Sequence, residues 1–138
     1  MEIVEADGVR NFKGKISNVS KGETQYGEQW ELKIEPIDED WKDQNLWIKE
    51  PDTLTENSIP DNSVMAELIE QFAELLPESK RKLLNDNSPS EFLLKLKGNI
   101  FTFKDKVPEN GQKEYLYPVE FVKDDSVVEN EEVVESTS

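Results

Sequence analysis

The sequence predicts a mainly β fold: five strands, a helical insert between the third and fourth, and a disordered acidic tail at the C-terminal end. Three observations carry this expectation. Apolar and polar residues alternate around residues 12–16, 30–34, 46–48 and 100–104, the period of a half-buried strand. Between the third and fourth of these runs the apolar spacing changes to three and four, over Val64, Met65, Leu68, Ile69, Phe72, Leu75 and Leu76, which is the stripe of an amphipathic helix. From Asp124 to the end the chain carries six acids and no base, a composition too polar and too charged to bury a core.

The first strand sets Phe12, Gly14 and Ile16 on one side and Lys13, Lys15 and Ser17 on the other. Residues 20–27 are polar and include Gly22 and Gly27, which predicts a long hairpin loop. In the second strand Trp30, Leu32 and Ile34 alternate with Glu31, Lys33 and Glu35, until Pro36, with no N–H for the ladder, stops it. After a charged connection the short third strand puts Leu46 and Ile48 inward, Trp47 and Lys49 outward. A polar loop over 51–60 leads to the helix, which Pro77 ends or kinks. A second helical stretch over 78–84 carries the basic run Lys80-Arg81-Lys82, and Ser88-Pro89-Ser90-Glu91 reads as a capping box with proline at the first helical position. The fourth strand has Phe101 and Phe103 on one side and Ile100, Thr102 and Lys104 on the other. A turn at 108–111 precedes the last strand, expected over 115–122.

Cysteine and histidine are both absent, which excludes disulfides, thiolate chemistry, the usual zinc sites and a histidine base. No glycine-rich phosphate loop, serine nucleophile motif or paired-carboxylate signature stands out, so the expectation is a non-enzymatic protein without a cofactor. Asp38-Glu39-Asp40 is the densest carboxylate cluster, but Lys42 and Asp43 stand where a calcium loop needs a ligand and a glycine, and no metal site is predicted. The N-terminus is acidic where a secretory signal is basic, and no apolar run reaches the length of a membrane span. The expected location is the cytoplasm, or the host cytoplasm if the protein is viral.

The formal net charge of −15 opposes nucleic-acid binding, because lysine and arginine must displace the counterions of phosphate. The charge is unevenly spread. Residues 1–123 carry a net of −9, and much of that excess lies between Glu35 and Glu78. Residues 10–33 hold five bases and three acids, and residues 95–106 four bases and one acid. The acid is segregated away from the strands.

Three strands, a helical segment and two strands is an order that resembles the oligonucleotide/oligosaccharide-binding (OB) barrel. The segment from Lys21 through Tyr26-Gly27 to Trp30 looks like the first loop and second strand of single-stranded-DNA-binding OB domains of the replication protein A and archaeal type, and the segment from Leu96 through Gly98-Asn99 to Phe103 resembles their fourth strand. The resemblance covers residues 9–123 by topology and only those two segments by residue pattern. It implies a five-stranded barrel domain over 1–123 with an insert at about 61–95, followed by the tail at 124–138. It also implies a site in which aromatic side chains stack bases and cationic ones track phosphate. Carried onto this chain, the candidates are Lys13 and Lys15 on the first strand, Tyr26 in the first loop, Lys33 on the second strand, Trp47 and Lys49 on the third, and Lys104 and Lys106 at the end of the fourth. Glu31 and Glu35 share the outward parity of Lys33 and depart from that pattern.

Each candidate has a structural alternative. Trp30 shares its face with Leu32 and Ile34 and is assigned to the core. Trp47 either stacks bases or packs under the helical insert, Tyr26 is either a stacking platform or an ordinary loop residue, and alternating lysines also serve as the solvated face of a strand. The tail resembles the acidic tails of bacterial and phage single-strand-binding proteins, but it ends Glu135-Ser136-Thr137-Ser138, without their apolar tip. Two functions follow: a module binding single-stranded DNA or RNA, or a protein-binding module, viral or plasmid-encoded, whose acidic insert or tail imitates nucleic acid before a basic partner.

Overall fold

A computed structural model describes residues 10–25, 27–82 and 86–125. The alternating segments form β1 (Asn11–Thr24), β2 (Gly27–Pro36), β3 (Gln44–Lys49), β4 (Asn99–Lys106) and β5 (Tyr115–Asp124). They make one antiparallel sheet in the order β3-β2-β1-β4-β5. β3 and β5, the outer strands, come into contact, but the sheet is not closed by hydrogen bonds between them. The strand parity read from the sequence holds for the core: Phe12, Ile16, Trp30, Leu32, Ile34, Leu46, Ile48, Phe101 and Phe103 are all buried.

The insert supplies α1 (Val64–Leu75), α2 (Glu78–Arg81) and α3 (Pro89–Leu94) among the described residues. Ser63 caps α1 by accepting the Ala66 N–H on its Oγ at 3.1 Å. Residues Met65, Leu68, Ile69 and Phe72 then face inward, and α1 packs against β5 and β3. Phe72 meets Phe101 edge-on at 5.0 Å, and Phe101 meets Phe121 at 5.5 Å, so the helix shuts the inner side of the curled sheet with aromatic contacts. The Ser88 cap at α3 forms: its Oγ accepts from the Glu91 N–H and donates to the Glu91 carboxylate, both at 3.1 Å.

At Gly14 the packed core leaves no room for a side chain. A Cβ there would lie 2.4 Å from Ile34 Cγ2 and 2.9 Å from the Phe12 ring, so only glycine fits between the strands that flank β1. At the other end, Arg10 fastens β1 to β4 and β3. Its Nη2 donates to Asp105 Oδ1 at 2.6 Å, its backbone N–H to Asp105 Oδ2 at 2.7 Å, and its Nη1 to Gln44 Oε1 at 2.9 Å.

Four expectations change. Most of the expected long loop at 20–27 is instead strand: β1 runs to Thr24 and β2 starts at Gly27, whose φ of 100° is in the region that glycine adopts freely. Its residues are polar because both faces of the ribbon's tip lie beyond the core. A bulge between Ile16 and Asn18 resets the parity of β1, so that Ile16 and Val19 both turn inward. Ile100, expected outward with Thr102, is 3 % exposed, because its cross-strand neighbours Lys15 and Lys123 flank it. Finally β5 reaches Asp124, and Asp125 donates its N–H to Gly98 O at 2.9 Å, so the ordered sheet passes the expected boundary at 123. The remainder of the expected tail, 126–138, lies outside the described residues.

Candidate functional site

The lysines of the outer face share one side of the sheet, as their parity requires, but acids are interleaved with them. Lys33 sits opposite Asn45 and Asn18, with Glu31 and Glu35 two residues away on the same strand and side. Lys15 lies between Glu35 and Ile100, and its Nζ reaches Asp125 Oδ2 at 3.0 Å. Lys13 pairs with Thr102, which pairs on its other side with Glu120. Lys104 is exposed beside Asn11, whereas the Lys106 ammonium rests over the Tyr117 ring at 4.5 Å from its centroid. Tyr26 lies outside the described residues.

Trp47 is 43 % exposed and faces outward opposite Glu31, so it does not pack under the insert. Two residues on, Lys49 shares that side of β3 and opens onto a groove of about 740 Å³. The groove is also lined by Asp52 just after β3, by Ser63 and Val64 at the start of α1, and by Lys113 and Tyr115 at the junction of the β4–β5 loop with β5. The Lys113 ammonium lies 5.4 Å from the Tyr115 ring centroid. Burial pushes the Tyr115 hydroxyl above its ordinary pKa.

Sequence reading missed Lys113 and Tyr115. The signal available, a turn sequence at 108–111, announced a reversal and gave no indication that it would stand across from Lys49. What holds it there is Glu67, one turn into α1. Its carboxylate accepts from the backbone N–H of Glu109 at 3.0 Å, from that of Asn110 at 2.9 Å and from the Tyr117 hydroxyl at 3.1 Å. Asn110 Nδ2 adds a bond to Asp61 O at 3.3 Å. The Tyr117 hydroxyl is pushed up to about 12, by burial first and then by the hydrogen bond to and charge of Glu67, with Glu109 and Glu74 adding to it.

Among the described residues no group of three or more carboxylates converges to hold a metal ion, and no helix is long and apolar enough to cross a membrane. Comparison with known proteins gives no matching family model, no matching curated protein and no matching solved structure.

Proposed function

We propose that this chain is an OB-type barrel that binds single-stranded nucleic acid without catalysing a reaction. The strand order β3-β2-β1-β4-β5, with a helix between β3 and β4 and contact between β3 and β5, supports the barrel. The observation that carries the function is the groove: Lys49, Lys113 and Tyr115 line it with one acid, Asp52, and the exposed Trp47 stands two residues before Lys49 on the same side of β3. Two lysines in one groove can track a phosphate backbone, and aromatic faces accept bases of any sequence. The experiment is fluorescence anisotropy of labelled oligo-dT at about 50 and 200 mM salt, with the full chain, a truncation after Asp125 and Trp47→Ala. Binding is expected to weaken with salt, with a log–log slope near −0.7 for each phosphate contact. Absence of binding by both the full chain and the truncation at the lower salt ends this proposal.

One arrangement favours a protein partner instead. Lys15, Lys21 and Lys80 are each engaged by a carboxylate, of Asp125, Glu50 and Asp124 respectively, and Lys33 stands between two glutamates. A surface that neutralises its own lysines keeps its acidic field for a basic partner. That alternative expects no oligo-dT binding at any salt and salt-sensitive binding to a basic protein.

A further inference from the structure

Asn110 is the only asparagine in the sequence that is followed directly by glycine. Such a pair readily loses the asparagine side-chain amide in water, because glycine puts no Cβ beside the peptide nitrogen that attacks. Here the pair lies in the loop between β4 and β5, where Asn110 is exposed and both residues line the groove.

The native loop ties down both nitrogens of that reaction. The attacking group, the Gly111 N–H, donates to Pro108 O at 3.1 Å. The leaving group, Asn110 Nδ2, donates to Asp61 O at 3.3 Å and to Ser63 O at 3.5 Å. The Asn110 backbone N–H donates to Glu67 Oε1 at 2.9 Å, and that of Glu109 to Glu67 Oε2 at 3.0 Å. Reaction therefore starts from local openings in which Glu67 has released the loop.

We propose that Asn110 is a deamidation site gated by Glu67, and that its conversion turns the groove against anionic ligands. The Gly111 nitrogen gives up its proton and attacks Asn110 Cγ; the Cγ–Nδ2 bond breaks, and Nδ2 leaves as ammonia from a cyclic imide. Water opens the imide at Cγ to give aspartate, or at the Asn110 backbone carbonyl to give isoaspartate. In sum one amide and one water become one carboxylate and one ammonium ion. The new carboxylate has no hydrogen to give to Asp61 O or Ser63 O, and it adds negative charge to a residue whose backbone the Glu67 carboxylate already grips. The loop that carries Lys113 is loosened, and the charges lining the groove go from two lysines against Asp52 alone to two against two. The consequence for a bound strand rests on the nucleic-acid reading of the groove, whereas the chemistry at Asn110 does not.

The test incubates the full chain at neutral pH and about 37 °C, and follows the tryptic peptide 107–113 by mass spectrometry for a gain of about 1 Da. Conversion is expected in the native chain within about a month, at least about fivefold more slowly than in urea. Glu67→Ala is expected to speed it at least about threefold while Asn45, within β3, keeps its rate. No conversion at Asn110, or a native rate equal to that in urea, overturns the proposal. So does an unchanged rate in Glu67→Ala, and equal acceleration at Asn45 assigns the effect to global unfolding and overturns the gate. Asn110→Asp is expected to weaken oligo-dT binding at least about threefold, and unchanged affinity overturns the switch. If the wild type does not bind oligo-dT, the reading of the groove fails, while deamidation, read by mass, stands or falls by itself.

Discussion

Two lysine-bearing regions of the same sheet differ in what surrounds the charge. On the outer face Lys13, Lys15, Lys33 and Lys104 are spread over three strands, with Glu31, Glu35 and Glu120 among them and Asp125 on Lys15. At the groove, Lys49 and Lys113 line one concave surface with a single carboxylate, that of Asp52, and the Tyr115 ring, and the loop that carries Lys113 is pinned by Glu67. Alternation in a strand decides only which side a lysine is on. Whether its charge is available to a ligand depends on residues from other strands and loops, and a concave site concentrates field where an interleaved face cancels it.

The comparison can be broken at its common support. Phe72 is fully buried against Phe101 and Phe103, and Phe72→Ala is expected to cost about 3–5 kcal/mol in denaturant unfolding and to abolish ligand binding. A cost under about 1 kcal/mol means that α1 does not close the core. Asp105→Asn is expected to cost about 2 kcal/mol at neutral pH, since it leaves a partly buried Arg10 without its carboxylate. Burial works to raise the Asp105 carboxyl, but the hydrogen bonds and charge of Arg10 prevail and hold it below its usual 3.8. Its contribution is therefore present above about pH 4 and lost as pH falls through the lowered native value, so wild type and variant should converge in acid.

The two regions are separated directly by charge reversal. Lys49→Glu with Lys113→Glu is expected to weaken oligo-dT binding at least about tenfold and flatten its salt dependence, whereas Lys33→Glu changes affinity less than about twofold. Equal losses from both would erase the distinction drawn between groove and face. The smallest effect concerns the loop itself. Glu67→Ala is expected to cost about 1 kcal/mol, to speed amide exchange at Glu109 and Asn110, and to bring the Tyr117 hydroxyl down from about 12 towards 10 in a spectrophotometric titration. Because the native pKa of Tyr117 is raised, the associated stability is complete below pH 10 and disappears as pH rises through about 12.

Much of the fold was legible because burial enforces periodicity. The inward residues of β2 and β3, the α1 stripe and the Ser88–Glu91 box each satisfy a local rule, and each stands where that rule put it. The bulge after Ile16 was not legible, since a single inserted residue leaves no composition signal. The paired strand ends at 20–24 and 27–31 read as a loop in the sequence because strands exposed on both faces lose the alternation that marks a strand. Of the expected site, Lys49 lines the groove, Trp47 is exposed on the outer side of β3, Lys15 and Lys106 are drawn into contacts with Asp125 and Tyr117, and Tyr26 lies outside the described residues.

The sequence by itself determined a mainly β chain with an amphipathic insert, the side of the sheet on which the core residues of β2 and β3 stand, and a net charge that no fold can change. Those properties depend on neighbours within a few residues, or on counting. Only the tertiary structure decided that the loop at 107–114 meets Lys49 at one groove and that Asp125 reaches Lys15. These meetings join residues far apart in the chain, and their geometry is set by how the sheet curls around α1, which no local pattern encodes.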